Sequence, residues 1–346
     1  MNFPAPSRLR LDSAALVNNW KAMARLSGSA ATGAAVKANA YGLGAREVVP
    51  RLWAAGCRDF FVAHWGEAED IADLVPTSNI AVLNGVCGDD IAKAKALGAV
   101  PVLNTPKQIA LWKAHGGGRC HVMLDSGINR LGIGPEQFVQ GLFAGLEIDI
   151  LMSHLASADE DCDQNHLQLE QFVQLSEQIT AQRRSLANSA GIGLGSDYHF
   201  ELTRPGLAIY GGIARQGYSD LVQQVVFPQA RVLQLRNVSS GSSVGYNATW
   251  RAERETRIAT LAFGYADGYF RAFSNIGSVF ANKIECPIIG RVSMDLITID
   301  ASAAPMLEEG EWCEIGFALS QAAQLTDMSQ YELLTSLSDR AEHIWF

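Results

Sequence analysis

The chain has 346 residues, of which 48% are hydrophobic and 18% charged, enough apolar material for one large domain and a smaller one. Its net charge of −9 and pI near 5.3 argue against nucleic acid or an anionic membrane as a partner. No apolar run of about 18 residues is present to span a membrane, and the N-terminus lacks a signal core. The six cysteines form no CxxC pair, which predicts reduced thiols in a cytoplasmic protein and no zinc site.

The chain begins with a short predicted strand, Leu9 to Leu11, followed by an amphipathic helix that Asp12 or Ser13 caps. We assign residues 1–12 to an N-terminal strand segment that packs with the C-terminal domain. The helix that follows opens the first domain.

A lysine ends the next apolar run. Gly33 to Val36 predicts a buried strand, Lys37 closes it, and turn residues such as Asn39 and Tyr41 follow. A lysine in such a place must have its ammonium solvated, paired or neutralised, and once deprotonated it can attack a carbonyl to form a Schiff base. The alternative is a strand-end lysine that extends to solvent, and this stretch alone favours neither.

Short apolar strands then alternate with helices, a pattern typical of parallel βα units. The number of strands approaches eight, which predicts a closed (β/α)8 barrel over residues 13–220. The predicted strands are 60–63, 80–83, 100–103, 120–124, 148–152, 185–187 and 207–210. The predicted helices are 45–55, 67–74, 89–97, 106–114, 135–142 and 165–183.

After Gly212 the pattern changes to extended apolar segments, and helical periodicity nearly disappears until Ser329. Short strands are predicted at 279–280, 288–289 and 296–299. We therefore predict a C-terminal, mainly β domain over residues 221–346, with the boundary between 215 and 228.

The stretch AVKANAYGLG, residues 35–44, resembles the cofactor-lysine signature of alanine racemases, which are pyridoxal 5'-phosphate (PLP) enzymes. The resemblance covers nearly the whole chain and implies an N-terminal (β/α)8 barrel with a C-terminal β domain. Leu43 stands where many members have histidine, and we expect no effect on the chemistry. The resemblance implies that Lys37 binds PLP covalently. It implies that the other cofactor-binding residues are Tyr41, His154, Asn188, Ser189, Arg204, Gly206 and Leu207.

Three barrel residues carry specific roles in that resemblance. Arg130, in the segment DSGINRLG, is expected to hold the substrate carboxylate, because its planar guanidinium binds a carboxylate through two hydrogen bonds. His154 is expected to pack against the cofactor ring and to bond the arginine beneath it. Arg204 is expected at the pyridine nitrogen, where most PLP enzymes place a carboxylate. An arginine there keeps that nitrogen unprotonated, which favours racemisation over transamination.

The resemblance implies that the C-terminal domain supplies the second base, Tyr265, in the segment GYADGY. Lys37 and Tyr265 would face opposite sides of Cα, so each serves one enantiomer in a two-base mechanism through a PLP aldimine. Met294, through its N–H, and Asp295 are expected at the substrate carboxylate, and Tyr246 at the entrance. In the family these segments reach the partner's active site, which implies a head-to-tail homodimer.

Two departures from the family pattern concern binding. Met123 replaces the lysine that many members carbamylate, so we expect Arg130 to be held by Asn129 or by an anion. Ser338, Asp339 and Arg340 lie where a tyrosine often bonds the cofactor phosphate, and a carboxylate cannot do this. Weaker cofactor binding is one expected consequence.

The sequence therefore predicts an alanine racemase that interconverts L- and D-alanine and supplies D-alanine for peptidoglycan. A racemase of broader specificity, with serine as a substrate, remains an alternative. Further alternatives are a barrel-type PLP decarboxylase, which Arg204 disfavours, and a PLP-carrier barrel, which the β domain disfavours.

Overall fold

The computed structural model describes residues 3–337 and 339–346, and the chain divides into two compact units. One unit is Leu16–Gln223, and the other combines Met1–Ala15 with Gln224–Phe346. In the described part of the chain, no helix is long and apolar enough to cross a membrane.

Strands and helices are numbered here in chain order. The strands are β1 (Ser7–Leu11), β2 (Ala31–Thr32), β3 (Ala34–Ala35), β4 (Phe60–Val62), β5 (Ile80–Val82), β6 (Val100–Leu103), β7 (Arg119–Met123), β8 (Glu147–Met152), β9 (Arg183–Ser185), β10 (Leu202–Thr203), β11 (Val226–Val238), β12 (Ser243–Val244), β13 (Trp250–Arg251), β14 (Thr256–Leu261), β15 (Ser278–Ala281), β16 (Ile284–Pro287), β17 (Ile297–Asp300), β18 (Trp312–Ile315) and β19 (Glu342–Trp345). The helices are α1 (Ser13–Leu26), α2 (Lys37–Tyr41), α3 (Ala45–Ala55), α4 (Trp65–Ile71), α5 (Ile91–Leu97), α6 (Pro106–Ala114), α7 (Asp163–Ser176), α8 (Leu319–Thr326) and α9 (Gln330–Thr335).

The first unit is a closed parallel barrel. Strands β3 to β9 form a seven-stranded parallel sheet in chain order, and β10 pairs with β2. The sheet closes through the backbone: the N–H of Gly33 donates to the carbonyl of Thr203 at 2.9 Å, and the N–H of Arg204 donates to Ala187 at 2.8 Å. Side chains from alternate strand positions fill the interior, among them Phe61, Val102 and Met123. The predicted (β/α)8 fold is confirmed.

Three predicted barrel elements are wrong in detail. Residues 207–210 form a 3-10 turn rather than a strand, and the strand that closes the barrel is β10, only two residues long. The predicted helix 135–142 reduces to a 3-10 turn, Pro135–Gln137, and Val139, which the prediction placed in that helix, is exposed. Helix α7 ends at Ser176, and Arg183 instead lies in β9, where Asp59 and Asp149 pair its charge.

The second unit is built on one long strand. β11 pairs with β1 and β18 along its first half and with β14 along its second half. A register shift between Val232 and Gln234 marks the change. The sheet order β16-β15-β18-β11-β1-β19 places the N-terminal strand β1 between β11 and the C-terminal strand β19. The sequence prediction missed helix α8, and it placed a strand at 288–289 where the structure has β16 at Ile284–Pro287.

Candidate active site

Lys37 lies at the carboxyl end of the β2–β3 segment, at the start of a left-handed turn. Ala38, Asn39, Ala40 and Tyr41 all have φ between 52° and 56°, a conformation that costs an L-residue about 1–2 kcal/mol. A run of such residues persists only where surrounding contacts hold it. The turn presents the lysine and the tyrosine of the AVKANAYGLG segment from one short piece of backbone.

Glu67 on α4 is one of the groups that hold this turn. Its Oε1 accepts the N–H of Ala38 at 2.7 Å, and its Oε2 accepts the N–H of Ala63 at 2.6 Å. The Oδ1 of Asn39 accepts the N–H of Ala45 at 2.8 Å and fixes the exit of the turn. The lysine backbone is thereby tied to the end of the neighbouring strand, β4.

The Lys37 ammonium is half-buried, and its pKa is below the usual value. Burial is the main cause, the Arg130 guanidinium adds to it, and the Glu67 carboxylate opposes both. Burial also lowers the pKa of His154 to about 3, with further lowering by Arg204, Arg130 and Lys37. Because the charges of Lys37, Arg130 and Arg204 all act on the His154 imidazole, these three cations share one electropositive site around it. The histidine in this site is neutral.

Arg204 is the most buried of these cations. Its Nη2 donates to the carbonyl of Ser153 at 2.5 Å, and its Nη1 donates to the hydroxyl of Ser185. Neither hydrogen bond goes to a carboxylate, and burial lowers the pKa of Arg204 to about 10. A guanidinium held only by neutral acceptors keeps its full charge for a ligand placed against it.

A second cluster forms around Ser189. The buried Ser189 hydroxyl accepts the N–H of Gly206 at 2.9 Å and of Ala208 at 3.2 Å. A Cβ on Gly206 would lie 2.3 Å from the Tyr41 hydroxyl oxygen, so only glycine fits there. Leu207 opens the 3-10 turn, and its N–H is one of the N-terminal donors that such a turn leaves without an internal partner.

Asn188 acts within its own loop, since its Oδ1 accepts the N–H of Gly191 at 2.8 Å. The structure therefore brings Tyr41, Ser189, Gly206 and Leu207 together, with Asn188 beside them as a structural support. Hydroxyls and backbone N–H groups converging in this way suit an anion such as phosphate.

Arg130 lies in an exposed loop after β7. It lines a cavity of about 350 Å³ together with Asn104, Asp125 and Asn129. Among the described hydrogen bonds, none joins Asn129 to Arg130; the N–H of Asn129 donates to Asp125 instead, at 3.1 Å. Met123 is buried in the barrel core, so its side chain offers no hydrogen bond to the arginine. An anion remains the expected partner of Arg130.

In the second unit, the two motifs that carry Tyr265 and Met294 are joined by backbone hydrogen bonds. The N–H of Tyr265 donates to Ser293 at 3.0 Å, and the N–H of Ala266 donates to Met294 at 2.9 Å. A Cβ on Gly264 would lie 2.4 Å from the carbonyl oxygen of Met294, so the loops are in close contact. Asp295 and Tyr246 are exposed, and so is Met294, at 54%.

Tyr269 also lies in the GYADGY segment, where a tyrosine could restrict substrate size, but in the described residues it packs in the core. Its side chain is fully buried and stacks on Phe273 with ring centroids 4.1 Å apart. Burial raises the pKa of the Tyr269 hydroxyl. The residue belongs to the core beneath the Tyr265 loop.

Sequence reasoning missed several residues that position this site. Glu67 occupies the third position of α4, where a glutamate commonly reaches back to backbone N–H groups, so its spacing carried a usable signal. The partners of Arg204, Ser153 and Ser185, lie at strand ends and had no such signal. The guanidinium of Arg271 lies 5.3 Å from the centroid of the Tyr265 ring, and no sequence pattern indicated this contact either.

Comparisons with known proteins agree over both units. Residues 11–214 match the family described as alanine racemase, N-terminal domain, and residues 225–345 match alanine racemase, C-terminal domain. The chain is 39% identical to an alanine racemase from Rhizobium meliloti, over 97% of this chain and 96% of the relative. It resembles the crystal structure of an alanine racemase from Bartonella henselae with covalently bound pyridoxal phosphate (TM-score 0.92, 35% identity, 99% and 100% coverage). It also resembles the biosynthetic alanine racemase of Pseudomonas aeruginosa (TM-score 0.89, 32% identity, 99% of each chain).

Proposed function

This chain belongs to the alanine racemase family, and from that premise we propose how its residues divide the work of interconverting L- and D-alanine. The activity is alanine racemisation and the cofactor is pyridoxal 5'-phosphate. The residue roles are our proposal, and they rest on the geometry of the two clusters in the barrel. Supply of D-alanine for peptidoglycan in the cytoplasm is the proposed physiological role.

The residues present fit this cofactor. A depressed lysine pKa favours the neutral amine that attacks an aldehyde carbon. The Ser189 hydroxyl, which can still donate its own proton, and the N–H of Leu207 offer a phosphate cup, which the Tyr41 hydroxyl closes. Arg204, with no carboxylate among its hydrogen-bond partners, suits an unprotonated ring nitrogen. PLP supplies an aldehyde that captures amines and a ring that accepts electron density from Cα as its proton leaves.

The protein must remove a proton from one face of Cα and deliver one to the other. Lys37 and Tyr265 are the proposed pair, with Tyr265 contributed by the second copy of a head-to-tail homodimer. Arg130 and the N–H of Met294 orient the substrate carboxylate, with Asp295 beside them. His154 stays neutral near the cations and so can accept a hydrogen bond. Tyr246 is exposed in the single chain, and we assign it to the substrate entrance.

The observation that carries this proposal is the electropositive site around a half-buried lysine on a constrained left-handed turn. Lysine with an ordinary structural role would need neither the strain nor the neighbouring cations. These local cations also favour binding of the alanine carboxylate and the cofactor phosphate despite a net charge of −9 for the chain.

The test is chiral analysis of alanine after incubation of the holoenzyme with each enantiomer, with Lys37→Ala and Tyr265→Phe as variants. Lys37→Ala should lose both racemisation and the absorbance band of covalently bound cofactor. Tyr265→Phe should keep that band and lose racemisation. Lys93→Ala, on the exposed face of α5, is the matched control and should change neither. A Lys37→Ala protein that retains the band would overturn the lysine assignment, and L-serine in the same assay measures substrate breadth.

A further inference from the structure

The segment after α9 places one cation between the two loops that carry Tyr265 and Met294. The Arg340 Nη2 donates to Asp295 Oδ1 at 2.8 Å, and its Nε lies 3.7 Å from Asp267 Oδ1. Asp267 belongs to the Tyr265 loop and Asp295 to the Met294 loop. A single guanidinium therefore spans both.

The carboxylate on the Tyr265 side is an integral part of its loop. Asp267 is only 4% exposed, and its Oδ2 accepts the N–H of Gly264 at 2.9 Å. That bond closes the tight turn on which Tyr265 lies, since the N–H of Asp267 in turn donates to the Gly264 carbonyl at 3.0 Å. A buried carboxylate of this kind is stabilised by an adjacent cation and is costly without one.

The chain preceding Arg340 also abuts the same turn. Gly268 has φ +95°, and a Cβ there would lie 2.6 Å from the Ser336 carbonyl oxygen and 3.0 Å from the Leu337 Cα. The backbone that delivers Arg340 is thus in van der Waals contact with the end of the Tyr265 turn. Ser338, between these residues and Arg340, lies outside the described residues.

We propose that Arg340 is a positioning residue that holds the Tyr265 and Met294 loops in one fixed arrangement through Asp267 and Asp295. The inference rests on the proposed function, because it concerns the alignment of its second base. It also assigns a task to a segment that departs from the family pattern: Asp339 cannot bind phosphate, whereas its neighbour braces the loops.

Arg340 acts by holding the two loops in position, and it does not take part in proton transfer. The two loops already share backbone hydrogen bonds between Tyr265 and Ser293 and between Ala266 and Met294. Arg340 adds an ion-pair contact with a side chain of each loop, so we expect its loss to displace both the Tyr265 phenol and the Met294 N–H. Displacement by about 1 Å can cost roughly 100-fold in rate.

The test compares Arg340→Met and Arg340→Lys with Arg254→Met, all as holoenzymes. Arg254 is the matched control, because it pairs with Asp300 at 3.5 Å in the same unit and, among the described residues, no hydrogen bond or ion pair joins it to either loop. Arg340→Met should lower kcat roughly 10- to 100-fold and raise the alanine KM. Arg340→Lys should retain more of the wild-type kcat than Arg340→Met, because lysine keeps the positive charge. It should not retain all of it, because a single ammonium cannot bind both carboxylates as the planar guanidinium does. Arg254→Met should match the wild type.

Two further readouts separate positioning from a general loss of structure. In deuterated water, Arg340→Met should exchange the α-proton faster than it inverts Cα, because of the two proposed bases only the Tyr265 phenol is displaced, while Lys37 is unchanged. The acidic limb of the kcat–pH profile of Arg340→Met should also move to higher pH. Burial raises the pKa of Asp267, and the Asp295 charge adds to this effect. The Gly264 N–H and the Arg340 charge lower that pKa. Removing Arg340 therefore protonates Asp267 at a higher pH.

The possible outcomes are distinct. Arg340→Met could instead keep the wild-type kcat, the wild-type ratio of α-proton exchange to inversion and the wild-type acidic limb of the kcat–pH profile. That result would overturn the positioning role of Arg340 and leave the racemase function intact. If Arg340→Met does not fold, Arg340→Lys decides by the same three readouts. A wild-type protein that does not racemise alanine would instead overturn the proposed function.

Discussion

Replacing Glu67 with alanine is expected to release the turn that carries Lys37. The carboxylate of Glu67 bonds the N–H of Ala38 at 2.7 Å and of Ala63 at 2.6 Å, and its side chain is 17% exposed. Hydrogen bonds to charged groups contribute about 1.5–3 kcal/mol each. Taking the low end for a site that water can reach, the pair contributes about 3 kcal/mol to holding a left-handed segment that is otherwise unfavourable.

The loss of these two hydrogen bonds should destabilise the turn around Ala38 more than the fold as a whole. The amide of Ala38 should exchange with solvent at least 30-fold faster, which corresponds to about 2 kcal/mol. Because the Glu67 charge raises the pKa of Lys37, its removal should also lower that pKa further. Covalent attachment of the cofactor, measured by absorbance as a function of pH, should then persist to lower pH. Activity should nevertheless fall, because the Lys37 amine is misplaced.

Glu47→Ala is the control, since that exposed carboxylate pairs with Arg51 one helical turn away and contributes at most about 0.5 kcal/mol. Hydrogen exchange measured by mass spectrometry on both variants gives the comparison. Unchanged protection of the segment around Ala38 in Glu67→Ala would refute the view that this carboxylate holds the turn.

Three further predictions follow from the barrel. Gly206→Ala should weaken cofactor binding at least tenfold by equilibrium dialysis, because its Cβ would lie 2.3 Å from the Tyr41 hydroxyl oxygen; unchanged affinity would contradict the phosphate cup. Arg204→Glu should yield transamination products that chromatography detects, and their absence would count against the role of this cation. His121 is buried, which lowers its pKa to about 3 from 6.5, so the folded state stays neutral where the unfolded chain takes up a proton. Stability should therefore be complete above pH 6.5 and fall by up to about 1.4 kcal/mol per pH unit towards pH 3, and a His121→Gln variant should show a flatter dependence in urea titrations.

The sequence predicted the elements whose apolar pattern and boundary residues agree. Helices α3 and α6 begin and end where predicted, because Gly56 stops one and Pro106 opens the other. It failed at β9, where the strand Arg183–Ser185 is charged and its burial depends on partners distant in the chain, Asp59 and Asp149. It failed again at 207–210, an apolar run that packs as a turn.

The candidate site residues came from motifs, whereas their supports had no signal in the sequence. Lys37 was singled out as a charge that ends an apolar run, and Arg204 was assigned through the family resemblance. The hydroxyl and carbonyl that hold Arg204 come from Ser185 and Ser153, ordinary residues until the barrel closes. The Arg340 contacts join residues about 45 and 73 positions apart, and no local pattern encodes such a distance.

The position of β1 between β11 and β19 sets the order in which the chain can mature on the ribosome. Residues 7–11 emerge before the rest of their sheet, yet one of their two neighbours, Glu342–Trp345, is synthesised only after the whole barrel. The barrel segment can acquire its local βα contacts during translation, while strand β1 keeps one unpaired edge until β19 is available. Deleting residues 342–346 should therefore leave the barrel able to fold while the sheet keeps an open, aggregation-prone edge.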